Sequence, residues 1–226
     1  MTPRIFSATR LASGMDIVLD PVAARHLREA LRLTAGASCI LFDGHGGEYV
    51  ATLTLVSRQQ VTALVGEHRA DSRESPLMLT LAQGISRGER MDYTLQKAAE
   101  LGVSHVVPLL TERSTVKLDD ERAAKRLEHW AGILRHACEQ SGRTVLPTLA
   151  SPLKVETYVG LETAASRLLL DPAAATPLRA LPASSSIALA IGPEGGFSPN
   201  ERALLGAAGF HGARLGPRIL RTETAA

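Results

Sequence analysis

The chain is poor in cysteine, lysine and aromatic residues: two Cys, four Lys and eight Phe, Tyr and Trp among 226 residues. Cys39 and Cys138 stand far apart in differently patterned segments. That excludes a disulfide framework and a C-x-x-C metal or redox site, and leaves two buried free thiols as the expectation. The seven histidines are scattered without an H-x-x-x-H pair, so no metal is expected. No apolar run is long enough to cross a bilayer, and the opening MTPRIFSATR lacks the apolar core of a signal peptide. A cytoplasmic protein that does not enter membranes is the expectation. G-x-G-x-x-G opening a βαβ unit, G-x-x-x-x-G-K-[ST] and G-x-S-x-G are also missing, which sets aside dinucleotide binding, a P-loop and a serine hydrolase. A net charge of +2 does not by itself mark a nucleic-acid binder, so an RNA surface has to come from local clustering. Arginine outnumbers lysine 21 to four, which fits phosphate recognition by a planar fork and equally a genomic preference for arginine codons.

The 45% hydrophobic fraction is ample for one or two cores. The best boundary is HRADSRESP at 68–76, polar, charged and closed by Pro76, giving units 1–72 and 73–226. Before it, 38–42, 48–55 and 60–65 read as strands with FDGHGGE at 42–48 as a glycine hairpin turn. A helix near 22–33 completes a compact β-barrel. After the boundary, apolar runs at 77–83, 103–110, 167–170, 187–191 and 213–216 alternate with helices at 89–101, 119–141 and 199–208. This alternation predicts an α/β unit with a parallel sheet covered on both faces. In helix 89–101, Met91, Leu95, Ala98 and Ala99 are the expected buried positions. In helix 119–141, Leu127, Trp130, Ala131, Leu134 and Cys138 form one stripe, and Gly142 ends it. On that stripe Trp130 reads as core or dimer packing rather than a base-stacking platform. His129 and His136 share a charged, solvent-facing side.

The most informative stretches are IGPEGGFSPNE at 191–201 and LGPRILRTETAA at 215–226. Each runs from apolar residues through a glycine/proline turn into polar residues that can open a helix. Gly192, Gly195 and Gly196 permit positive φ and close approach of a ligand to the main chain. Ser198-Pro199-Asn200-Glu201 reads as an N-cap, a proline at the first helical position and the far end of a capping box. One such loop alone is an ordinary strand-to-helix turn; two close together suggest one binding site made from backbone. Glu194 argues against a polyphosphate and tolerates a cationic or polar ligand. Its alternative role is to hold the turn by accepting hydrogen bonds from loop amides.

GPEGGFS and LGPRILRTETA resemble the two C-terminal motifs of the RsmE family of ribosomal RNA methyltransferases, of the SPOUT class. RMDYTLQKAAELGVSHVVPLLTERS at 90–114, EQSGRTVLP at 139–147 and HLREALRLTAGASCILFDGHGGEYVATL at 26–53 carry the likeness over nearly the whole chain. The resemblance implies an N-terminal PUA-like RNA-binding barrel and an α/β domain whose trefoil knot binds S-adenosylmethionine. It also implies a homodimer acting on the assembled 30S subunit, with methyl transfer to N3 of a uridine in the decoding region of 16S rRNA. In the family a final helix, which helps form the knot and the dimer, follows the point where this sequence stops at Ala226.

By the same resemblance, the donor's adenosine end meets backbone around Leu170, Ile191, Gly192 and Gly196, and along Leu215, Gly216, Pro217, Arg218, Ile219 and Leu220, with Glu194 near the sulfonium or the amino group. Arg221 is the leading candidate for stabilising negative charge on the uracil, Arg218 for positioning phosphate or ribose, and Glu223 for accepting a proton or orienting Arg221. In the helix near 22–33 the spacing itself puts Arg25, Arg28 and Arg32 on one face and Leu27 and Leu31 on another; with Arg4 and Arg10 before them they are the candidate phosphate-holding group, the alternative being a solvated face with Glu29 as an internal partner. Arg143, beside Gln140 and Ser141, is expected to border the substrate site, as is Arg87, which stands where the family usually has lysine. The rival functions are a ribose 2′-O-methyltransferase of the same superfamily and a non-catalytic RNA-binding or assembly factor.

Overall fold

The structure, a computed structural model, describes residues 2–70, 72–114, 116 and 119–226. Two compact units emerge: Met1–Glu74 with Cys138–Leu146, and Ser75–Ala137 with Pro147–Ala226. This differs from a single linear cut at residue 72, because the first unit also takes the end of the long helix and the residues after it. Contacts that no local window displays hold this segment: Val145 bridges to His45, the Gly46 N–H donates to the Thr144 carbonyl, the Phe6 N–H to Glu139, and Glu74 accepts hydrogen bonds from Arg143 and from the Thr144 and Val145 amides. Asp71, inside the expected boundary, lies outside the described residues.

In the first unit, β1 (Arg4–Phe6), β2 (Asp16–Val18), β3 (Ser38–Phe42), β4 (Glu48–Val56) and β5 (Val61–Arg69) form a mixed sheet in the order β1-β3-β4-β5-β2. The β1/β3 pair is parallel and the remaining pairs are antiparallel. Ala51 and Leu53 of β4 and Val61, Ala63 and Val65 of β5 alternate into the core, as period-two patterning requires. Between β2 and β3, α1 (Pro21–Arg25) starts at an Asp20 N-cap and passes into a π-helical turn over His26–Ala30. The expected helix to residue 33 is therefore shortened. The wider i→i+5 turn also breaks the three-and-four spacing on which a single arginine face depended. Leu27 is fully buried, whereas Leu31 is exposed.

The second unit contains β6 (Met78–Gly84), α2 (Glu89–Glu100), β7 (His105–Leu110), α3 (Asp120–Ser141), β8 (Thr148–Leu149), β9 (Leu153–Lys154), α4 (Val155–Leu161), β10 (Ser166–Leu170), β11 (Ser186–Ile191), α5 (Pro199–Ala207), β12 (His211–Ala213) and α6 (Thr222–Ala225). The sheet runs β12-β10-β11-β6-β7-β8, with β9 also on β7, and every pairing is parallel. Successive side chains go to opposite faces. Leu81, Val106 and Ile191 pack with Met91, Leu95, Trp130 and Leu134 of α2 and α3. Ala82, Ala188 and Ala190 pack with Val155, Tyr158 and Leu205 of α4 and α5 on the other face. Trp130 is thus core, and its indole is not available to stack on a base. The last strand lies at His211–Ala213, not 213–216, with Arg214 bridging to Pro177. The missed strands β1, β2, β8 and β9 are two or three residues long, too short for a period to show, and helix α4 was missed as well. Both cysteines are buried and free, and burial pushes their thiols up to about 11. Among the described residues no helix is long and apolar enough to cross a membrane.

Candidate functional site

Strand order reverses at the β6/β11 pair: β7 and β8 extend to one side, β10 and β12 to the other. In open parallel sheets a crevice forms at the carboxyl ends of strands where order reverses. Here a cavity of about 500 Å³ lies at the ends of β10 and β11, a size suited to a nucleoside-like ligand. Leu170, Ile191 and Leu220 give it apolar walls; Gly192, Glu194, Gly196, Leu215 and Ile219 also line it. Both glycine/proline loops therefore meet in one place. Gly216 and Pro217 are not among the lining residues; they sit in the turn between Leu215 and Arg218.

The first loop is braced from several sides. The Gly196 N–H donates to the Pro193 carbonyl at 2.8 Å, and Gly196 adopts φ +67° with open space where a Cβ would sit. Gly192 works differently. A Cβ there would stand 2.8 Å from Gly196 Cα and Phe197 N, so its bareness lets the loop close on itself. At Gly195 a Cβ would meet Arg113, whose guanidinium donates to the Gly195 carbonyl at 3.1 Å. Ser198 and Glu201 form the expected capping box. The Glu201 N–H donates to Ser198 Oγ at 3.2 Å, and the Ser198 N–H donates to Glu201 Oε2 at 2.8 Å. The second Glu201 oxygen accepts from the Glu112 amide at 2.8 Å, tying α5 to the end of β7.

Glu194 has partners already. Its Oε1 accepts from the Arg90 guanidinium at 2.8 Å and from the Arg87 N–H at 3.2 Å. Partial burial works against its ionisation, but hydrogen bonds from backbone amides and from Arg90 outweigh this and hold the carboxyl below its ordinary value. An ionised Glu194 with Arg90 beside it is suited to holding the turn, the second of its two expected roles. Asp171 at the end of β10 is a lining residue that the motif reading missed, as is Arg90; Asp171 is ion-paired with Arg202. The Asp-Pro step after an apolar strand was the only available signal.

Arg218, Arg221 and Glu223 all line the cavity. Both arginines are exposed, and Arg221 stands at the N-cap of α6. Among the described residues Arg221 and Glu223 form no ion pair, the contact by which Glu223 would orient Arg221 in the second of its two expected roles.

The remaining arginines divide sharply. Arg143 is buried, and its Nε and Nη2 donate to Glu74 at 3.0 and 2.7 Å. Arg4 pairs with Glu48, reaches the Gly142 carbonyl at 3.3 Å and lies over the Phe42 ring. Arg28 donates to the carbonyls of Ser57 and Arg58 at 2.9 and 3.1 Å and also pairs with Glu29. All three are engaged inside the first unit, Arg4 and Arg28 of the candidate phosphate-holding group and Arg143 of the expected substrate border. Arg10, Arg25, Arg32 and Arg87 are exposed, Arg10 also lying 3.6 Å from the buried Asp43 carboxylate.

A family model described as an RNA methyltransferase domain matches residues 73–226, and one described as an RNA methyltransferase PUA domain matches 19–65. A Legionella pneumophila methyltransferase solved in complex with bound SAM matches with TM-score 0.96 and 41% identity, covering 100% of this chain and 93% of that one. The ribosomal RNA small subunit methyltransferase E of Neisseria gonorrhoeae, bound to S-adenosyl methionine, matches with TM-score 0.91 and 37% identity over the same shares. The curated relative of the same name from Synechocystis is 36% identical over 100% of this chain and 75% of its own length. The fold and the cleft are those of an RNA methyltransferase carrying a PUA domain. Within that class, the chain belongs to the ribosomal RNA small subunit methyltransferase E family.

Proposed function

We propose that this chain transfers the methyl group of S-adenosylmethionine to N3 of a uridine in the decoding region of 16S rRNA, acting as a cytoplasmic homodimer on the assembled 30S subunit. The observation that carries this reading is the convergence of both loops, with Arg218 and Arg221, on one cavity at the ends of β10 and β11. The pocket's chemistry fits the donor: apolar walls for the adenine, and a volume that accommodates it. Leu170, Ile191, Gly192, Gly196 and the turn from Leu215 to Leu220 hold it. In this reading the C-terminal passage through the second unit is a trefoil knot.

The bound donor supplies an activated methyl on sulfur, so the protein's task is chiefly alignment. N3 of uracil carries a proton, and the ring becomes nucleophilic when that proton leaves. Arg221, exposed at the cavity, stabilises the negative charge that spreads to the uracil carbonyls. Arginine stays protonated and cannot be the base. Glu223, on the same wall, accepts the proton, and Arg218 holds the phosphate or ribose of the nucleotide. Residues 1–72 serve as the RNA-holding domain, with Arg10, Arg25 and Arg32 as its exposed cations, and residues 73–226 carry catalysis, with Arg87 an exposed cation near the Glu194 turn.

The test is methylation of 30S subunits from cells lacking the enzyme, followed by nucleoside mass spectrometry. N3-methyluridine is the expected product. A ribose-methylated nucleoside would replace this reading by the 2′-O-methyltransferase, and donor-independent RNA binding without product would favour an assembly factor. Arg221→Ala is expected to lower kcat by about 10²–10³-fold, the range for losing one oxyanion donor, with donor affinity retained.

A further inference from the structure

Gln83, at the end of β6, is fully buried and has no place in the motifs. Its Nε2 donates to the Gly84 carbonyl at 2.9 Å and to Thr222 Oγ1 at 2.9 Å. The Thr222 hydroxyl then donates to the Gly192 carbonyl at 2.7 Å. Direction is fixed along this chain. The two carbonyls can only accept, so the hydroxyl proton goes to Gly192, and Thr222 must receive its own hydrogen bond from the amide NH₂. Turning the amide over would set its oxygen against the Gly84 carbonyl. The orientation leaves Gln83 Oε1 buried with no hydrogen-bond partner among the described residues. A buried acceptor kept unsatisfied calls for an explanation, and the two donor contacts supply it. Gly84 contributes too: a Cβ there would come within 2.4 Å of Pro193 Cδ and 2.5 Å of Pro193 N, so the first loop lies directly against the end of β6.

We infer that Gln83 and Thr222 are positioning residues forming a latch, amide to hydroxyl to carbonyl, that fixes the two cavity loops relative to each other. Gly192 belongs to the first loop, and Thr222 follows Arg221 directly. The latch therefore sets both the donor-binding backbone and the arginine at the cavity. Its catalytic consequence rests on the function proposed above.

Hydrogen exchange and calorimetry test it on the full chain, comparing wild type with Thr222→Val, Thr222→Ser and Gln83→Leu. Thr222→Val keeps the shape and removes the hydroxyl. It is expected to raise exchange in peptides covering both 192–197 and 215–221 by about fivefold, the scale of one lost hydrogen bond, and to weaken S-adenosylmethionine binding by a similar factor. Thr222→Ser restores the hydroxyl and is expected to stay within about twofold of wild type on both readouts. Gln83→Leu, if it folds, is expected to match Thr222→Val, with the double variant no worse than either. Loosening of one loop alone, or equal effects of Val and Ser at 222, would overturn the latch. Coupled loosening by Thr222→Val, together with a wild-type protein that binds no S-adenosylmethionine, would support the latch and reject the donor reading.

Discussion

Arg143 and Glu74 show how one contact redirects a side chain's use. The Arg143 side chain is 6% exposed and the Glu74 side chain 19%. A guanidinium so enclosed needs its carboxylate, because an unpaired buried charge is costly. Glu74→Ala is expected to destabilise by about 3 kcal/mol, read as a lower denaturation midpoint. Arg143→Ala should cost less, since the more exposed Glu74 would keep its contacts to the Thr144 and Val145 amides. The arginine after a helix-ending glycine was legible as a special position. Its partner was not: Glu74 lies 69 residues away in sequence, and nothing local to EQSGRT names it. Arg4 follows the same logic, its partner Glu48 lying 44 residues away; the Arg28–Glu29 pair was legible, but the Ser57 and Arg58 carbonyls that also hold Arg28 were not. A run of arginines in sequence records charge, but only the neighbours in space say whether that charge is free.

Local chemistry is most readable at the level of elements. The start of α5 was visible in Ser198-Pro199-Asn200-Glu201 because a capping box is built from residues three apart. Ser198→Ala is expected to cost about 1 kcal/mol, seen as a shift in the urea midpoint with the slope m unchanged. The helix after β2 was less readable. The i→i+5 turn over His26–Ala30 depends on how the chain descends onto the sheet, and its sequence looks like an ordinary amphipathic helix. The glycines show both cases. GPEGG signalled a tight loop, yet the tightest approach to that loop comes from Gly84 in β6, which reads as an unremarkable strand end. Gly84→Ala is expected to cost about 1–3 kcal/mol by overpacking and to weaken donor binding, because relief requires Pro193 and its loop to move. Calorimetry with S-adenosylmethionine and thermal unfolding would separate the two effects.

For the molecule as a whole, a net charge of +2 leaves RNA affinity to a few exposed cations. With Arg4, Arg28 and Arg143 paired internally, Arg10, Arg25 and Arg32 are the exposed members of the first unit's candidate group. Neutralising these three is expected to weaken RNA binding and to flatten its salt dependence by about two to three in slope, at ~0.7–0.9 per phosphate contact. The same measurement on Arg28→Gln should leave the slope unchanged. Phosphate contacts of this kind hold register without reading sequence, so selection of the nucleotide falls to the cavity and its arginines.

Periodicity, caps and turn glycines are short-range properties, and they were sufficient for the longer alternating strands and helices of the second unit, its parallel sheet and the meeting of two loops near the C-terminus, though not for β8, β9 and α4. Side chains three or four residues apart on a helix, or two apart on a strand, reach their environment whatever lies further along the chain. The partners of the charges, the residues held in the first unit from beyond α3, and the latch from Gln83 to Thr222 came from folding. That latch joins positions 139 residues apart. Coulomb pairing, hydrogen-bond direction and the space left by a missing Cβ act over a few ångströms of real distance, and only the folded backbone converts sequence separation into that distance.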